Sequence, residues 1–175
     1  VSIVLTPLLI SRIGKELYGY YVSGISLTYF CVVLCDLGMT LYLVKEASEN
    51  RLNKNYIGEL ISASVIIKIP CLLLMLVVYY CFYPGGLFTS VGLPFWLVLV
   101  ASSLQPFWVF QGVEKLKAIT VMTFVARAIT LALVFMFVKN SDDFDIVLLS
   151  YLLPIILVTI FSFVYLSGHG IAFRK

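Results

Sequence analysis

The chain of 175 residues is 62% hydrophobic and 12% charged, with a mean hydropathy of +1.07 and a formal net charge of +3. Soluble domains carry about 25% charged residues. The composition therefore excludes an ordinary soluble domain and identifies an integral membrane protein. The single histidine, His169, leaves His-based catalysis and metal binding almost nothing to work with, and no cofactor is implied. Cys31, Cys35, Cys71 and Cys81 all lie in apolar runs, without redox or zinc spacing, and read as small core residues.

The expected fold is all-α: a polytopic membrane bundle of about six transmembrane helices, the first truncated. That first run, residues 1–11, is too short to span and reads as the tail of a helix cut by the fragment boundary. A polar loop with Arg12, Gly14, Lys15 and Glu16 follows it. The second helix is expected over 18–44, interrupted only by Asp36, and the charged segment Lys45–Asn55 must lie in water. The third spans 56–82 with Lys68 near its centre. No charged residue occurs from Ile69 to Val113, a run of about 68 Å as a helix, so the chain must turn inside it. Tyr83-Pro84-Gly85-Gly86 supplies that turn. The fourth helix, 93–111, carries Pro106, which predicts a kink among Gln105, Trp108 and Gln111. Gly112–Lys117 is the next polar loop.

The fifth helix, 118–138, has an arginine at its middle. Thr120, Thr123, Arg127 and Thr130 share one face, and Val121, Phe124, Val125, Leu131 and Val134 form an apolar back. An exposed acidic loop with Asp142, Asp143 and Asp145 precedes the sixth helix, 146–167, which contains Pro154. Lysine and arginine concentrate in alternate loops: Lys45, Arg51, Lys54, Lys115, Lys117, Arg174 and Lys175 against Arg12, Lys15 and Lys139. The positive-inside rule then places the loops at 45–55 and 112–117, the N-terminus and residue 175 in the cytoplasm.

Asp36, Lys68 and Arg127 are the ionisable residues within spans, and Lys68 and Arg127 are expected at similar depth. One reading pairs Asp36 with either cation as structural glue. The preferred reading is a cationic cavity that admits an anionic ligand, because intramembrane charges mark pathways. Ser26, Tyr29, Asp36 and Thr40 share a face of the second helix, and Ser64 lies one turn from Lys68. Tyr and Trp in such a cavity can stack on sugar rings or simply pack. No hydrolase, protease or nucleotide-binding motif is present, so an enzyme is not expected. Nothing points to nucleic acid.

Pro7-Leu8-Leu9 with Arg12-Ile13-Gly14-Lys15-Glu16 and Tyr18-Gly19, and Asp36-Leu37-Gly38 with Ala47-Ser48 and Arg51, resemble the opening helices of polysaccharide-biosynthesis membrane proteins. Gln105-Pro106-Phe107-Trp108 with Phe110-Gln111-Gly112-Val113-Glu114-Lys115, then Arg127, Phe137-Val138-Lys139 and Asp142-Asp143, complete the pattern. These are the O-antigen (Wzx-type) flippases of the multidrug/oligosaccharidyl-lipid/polysaccharide exporter superfamily. The resemblance implies the N-terminal half of a two-lobed transporter whose second bundle is missing. It implies flipping of undecaprenyl-pyrophosphate-linked oligosaccharide across the bacterial inner membrane, alongside membrane lipids and polysaccharide polymerase machinery. Arg127 and Lys68, with Thr123, Thr130, Gln105 and Trp108, would line the substrate cavity, and Asp36 would couple to a proton or sodium ion. A multidrug cation antiporter of the same superfamily, a membrane glycan polymerase or acyltransferase, and a purely structural anchor are the competing readings. The surplus of cations disfavours the first, and the lack of a large extracytoplasmic loop or catalytic motif disfavours the second.

Overall fold

A computed structural model describes residues 2–82, 92–140, 143–169 and 171. The turn at Tyr83-Pro84-Gly85-Gly86, Asp142, Arg174 and Lys175 lie outside them. Eight helices follow one another among the described residues: α1 (Ser2–Ile13), α2 (Lys15–Asp36), α3 (Met39–Glu49), α4 (Lys54–Phe82), α5 (Gly92–Leu104), α6 (Phe107–Gly112), α7 (Leu116–Phe137) and α8 (Phe144–Gly168). Among the described residues, five segments are long and apolar enough to cross a membrane: Lys15–Asp36, Lys54–Val78, Gly92–Gly112, Leu116–Phe137 and Phe144–Gly168. The protein is an all-α, multi-pass membrane bundle.

Three boundaries differ from the sequence-based expectation, each for a local reason. The polar loop after the first apolar run shrinks to Gly14, whose φ of 85° only glycine adopts freely. Arg12 stays inside α1, because its guanidinium reaches the last carbonyls of α7. The second helix does not run through to residue 44. Leu37 and Gly38 both turn left-handed (φ 46° and 75°), ending α2 and starting α3. Half of the segment expected as a charged loop is then the solvent-facing end of α3. Pro106 splits the fourth span into α5 and α6, as a proline that lacks an amide and clashes with the preceding turn should.

The buried apolar side chains form two clusters. One gathers Tyr21, Cys31, Cys35, Leu72, Phe95, Leu99 and Val134 around α2, α4, α5 and α7. The other gathers Leu43, Ala47, Ile57, Trp108, Phe110, Met122 and Leu166 around α3, α4, α6, α7 and α8. Val134, expected on a lipid-facing back, is buried in the first cluster. It lies one turn beyond Thr130, where α7 turns that face to the core. Between the clusters α2, α3, α4, α5 and α7 contribute polar side chains, namely Asp36, Thr40, Ser64 and Lys68, Ser103 with Gln105 just beyond it, and Arg127 and Thr130. This polar band is where the cavities open.

Small residues let the second cluster close. A Cβ added at Gly112 would stand 2.5 Å from the Ala47 Cβ and 3.0 Å from the Val44 carbonyl oxygen, so α6 meets α3 backbone to backbone. Overpacking of this kind costs about 1–3 kcal/mol. Gly112→Val is expected to lower the thermal midpoint of the detergent-solubilised protein, whereas Gly19→Ala, with open space around its added Cβ, should leave it unchanged. Equal midpoints for wild type and Gly112→Val would show that α3 and α6 do not approach this closely.

Candidate functional site

Lys68 rises from α4 into the polar band and is only 6% exposed. Its Nζ lies 3.4 Å from the Asp36 carboxylate and donates to the Ser103 carbonyl at 3.0 Å. Both partners stand where a helix breaks. Pro106 removes the amide that would have capped the last turn of α5, and the lysine meets a carbonyl of that turn. Asp36, at the C-terminal end of α2, faces the negative pole of that helix, which disfavours a carboxylate. Two contacts offset this. The ammonium ion neutralises it, and the carboxylate accepts the Thr40 amide (3.3 Å) and hydroxyl (2.7 Å) at the N-terminus of α3, where negative charge is favoured. Lys68 thus ties α4 to both interruptions.

A cavity of about 540 Å³ opens at this pair, lined by Asp36, Thr40, Lys68, Gln105, Trp108 and Gln111 among others. A backbone break inside a span is tolerated only where protein buries it or a wet cavity receives its polar groups. The break at Gln105-Pro106 lies inside the span Gly92–Gly112 and borders this cavity.

Arg127 stands apart from the pair. Among the described residues it makes no hydrogen bond and no ion pair, and its side chain is exposed on the face of α7 that carries Thr123 and Thr130. It lines two further cavities. One, of about 260 Å³, includes Tyr29, Ser102, Gln105, Thr123 and Thr130. The other, of about 240 Å³, includes Thr6, Tyr18, Tyr21, Tyr29 and Tyr151. The first shares Val32, Ser102, Gln105 and Phe107 with the Lys68 cavity. The three cavities therefore adjoin as one groove, with Asp36–Lys68 at one end and tyrosines at the other. Phe124, one turn before Arg127 and turned away from Thr123 and Thr130, is 74% exposed and borders none of these three cavities.

All seven residues singled out in the sequence line this groove. Arg127, Thr123 and Thr130 border the middle cavity, Gln105 borders two cavities, and Lys68, Asp36 and Trp108 border the far end. Trp108 also packs into the second apolar cluster. The Thr123 and Thr130 hydroxyls donate to the Ile119 and Ala126 carbonyls of their own helix. Lys68 meets Asp36 at the end of α2, whereas Arg127 lines the cavities bordered by Tyr29, seven residues earlier on that helix. Tyr151, hydrogen-bonded to Tyr29 at 2.7 Å, carried no sequence signal. Its partner lies 122 positions away.

The two ends of the bundle are also defined. At one, the Arg12 guanidinium donates to the carbonyls of Val134, Phe135 and Val138, capping α7, and lies over the Phe135 ring. Nearby, Asp143 accepts the Lys139 and Asn140 amides, and these bonds hold its carboxyl below the usual range. The support it gives the turn is present at neutral pH and is lost only as pH falls through that lowered value. At the other end Arg51 pairs with Glu114 at 3.2 Å, joining the α3–α4 and α6–α7 loops.

Residues 1–175 match the family model described as polysaccharide biosynthesis protein. A Shigella dysenteriae protein named as an O-antigen transporter is 30% identical over 112 residues, covering 62% of this chain and 27% of that protein. An Escherichia coli K12 protein of the same name is 22% identical over 153 residues, covering 80% of this chain and 35% of that protein. The chain thus spans about a third of the length of the curated relatives it matches. No solved structure matches.

Removing one partner of a buried ion pair leaves an uncompensated charge and costs about 3–5 kcal/mol, whereas removing both is far milder. Lys68→Met is expected to destabilise the solubilised protein strongly, and adding Asp36→Leu should recover much of the loss. A thermal-unfolding double-mutant cycle with purely additive effects would show that the two side chains do not interact.

Proposed function

This chain belongs to the polysaccharide biosynthesis protein family, and from that premise we propose that it is the N-terminal bundle of a transporter for lipid-linked oligosaccharide. Its substrate is an undecaprenyl-pyrophosphate-linked repeat unit, moved across the bacterial inner membrane for surface polysaccharide by alternating access between this bundle and a second one. The observation that carries this reading is Arg127, a cation without a protein counter-charge among the described residues, set over adjoining cavities. A diphosphate crossing hydrocarbon needs such a charge, because an isolated anion there is prohibitively costly. Lys68 is already neutralised by Asp36, so Arg127 is the group left for the ligand. In this reading Asp36 is the ion-coupling residue: protonation or sodium binding at its carboxylate releases Lys68 toward the groove. The end that carries Arg51 and Glu114 faces the cytoplasm, and polysaccharide polymerase machinery takes up the product on the far side.

The test is surface glycan display in a transporter-null host complemented with the full-length gene at matched membrane levels. Arg127→Ala should reduce display about tenfold or more, the worth of a charge-assisted hydrogen bond, while Arg127→Lys should retain a measurable fraction. Normal display from Arg127→Ala would remove the arginine from the transport path.

A further inference from the structure

The cavity on the tyrosine side of Arg127 has a composition that a diphosphate does not explain. Thr6, Tyr18, Tyr21, Tyr29, Thr130 and Tyr151 bring six hydroxyls from α1, α2, α7 and α8 into about 240 Å³ within an apolar bundle. They are not distributed at random. The Tyr29 and Tyr151 hydroxyls bond each other across α2 and α8 at 2.7 Å, and Thr6 and Tyr18 do so across α1 and α2 at 3.0 Å. Each pair spends one proton on its internal bond. One hydroxyl hydrogen and several lone pairs per pair stay available. The rings of Tyr21 and Tyr151 stand edge to face at 6.1 Å, which leaves aromatic surface as well as hydroxyls at the cavity wall.

We propose that this cavity is a subsite for one sugar ring, the sugar joined directly to the diphosphate that Arg127 holds. A pyranose presents C–H faces that stack on aromatic rings and a rim of hydroxyls that exchange hydrogen bonds with phenols, and this cavity offers both. Its volume is below the range of about 300–1,000 Å³ that encloses a drug-sized ligand, which suits a single ring. Arg127 and Thr130 border this cavity and the neighbouring one, so a diphosphate on the arginine lies at the mouth of the tyrosine chamber. The hydroxyls of each pair partner each other when the chamber is empty, and the sugar bonds to the hydrogen and lone pairs that each pair leaves over. The tyrosines then act as specificity determinants for the first sugar, while remaining sugars extend along the groove. This rests on the transport reading above.

Binding to the detergent-solubilised full-length protein tests it with two kinds of probe. One is farnesyl diphosphate, and the other is farnesyl diphosphate bearing glucose, galactose or N-acetylglucosamine. The wild type should bind at least one sugar-bearing probe more tightly than farnesyl diphosphate, by about tenfold for two neutral hydrogen bonds. The double variant Tyr29→Phe with Tyr151→Phe should lose most of that advantage and keep its affinity for farnesyl diphosphate. Should that variant lose farnesyl diphosphate as well, Thr6→Val with Tyr18→Phe, which removes the other pair, decides in the same way. No sugar advantage in the wild type, or an undiminished one in the deciding variant, overturns the subsite. Arg127→Ala should weaken every probe alike. If it binds all of them as the wild type does, the diphosphate reading fails, and the subsite, argued from that anchor, falls with it.

Discussion

Lys68 determines how the interior of this bundle can be polar at all. A lone ammonium buried among membrane helices is costly, and so are the backbone groups left unpaired where α2 and α5 end. The lysine answers both at once, with Asp36 on one side and the Ser103 carbonyl on the other. Asp36 in turn serves the N-terminus of α3 through Thr40. Each group in this chain is tolerable only because the next is present. Together they let three helices meet at a polar level between two apolar clusters.

The pairing leaves the charges unevenly distributed along the groove. One end holds a neutralised pair with hydrogen-bond partners, and the middle holds a guanidinium without an anion among the described residues. In the proposed transport role an anionic substrate therefore binds in the middle of the groove, at Arg127, rather than at the Asp36–Lys68 end. The helix breaks at Gly38 and Gln105 border the groove, while Phe124 and its neighbours Val121 and Val125 keep an exposed flank of α7 apolar.

Much of this architecture is legible in the sequence because hydrocarbon imposes it. Long apolar runs, charged loops and Pro106 mark spans and one break, and the threonine–arginine face of α7 marks the groove. The α2–α3 break was hidden because Leu37, which takes the left-handed turn, carries no breaker signature, although Gly38 follows it. Asp36 was open to either cation. Only the packing of α4 beside α2, which brings Lys68 rather than Arg127 to Asp36, decides between them. Arg12 at the end of α7 and Tyr151 against Tyr29 join positions more than a hundred residues apart, and local periodicity does not reach that far. Three of the paired hydroxyls, those of Thr6, Tyr18 and Tyr151, leave no pairing signal in the sequence for a related reason: isolated threonines and tyrosines in apolar runs look like packing until their partners are in place.

The central claim is that α7 divides a wet, cationic groove from lipid, and thiol reactivity tests it most directly. Single cysteines at positions 123, 127 and 124, in full-length protein otherwise freed of reactive thiols, would be challenged in membranes with a small, water-soluble, anionic thiol reagent. Cysteines replacing Thr123 and Arg127 should be modified, because they line a hydrated cavity where a thiolate can form. One replacing Phe124 should stay silent in hydrocarbon. Silence at 123 and 127, or equal modification at all three positions, would contradict the account.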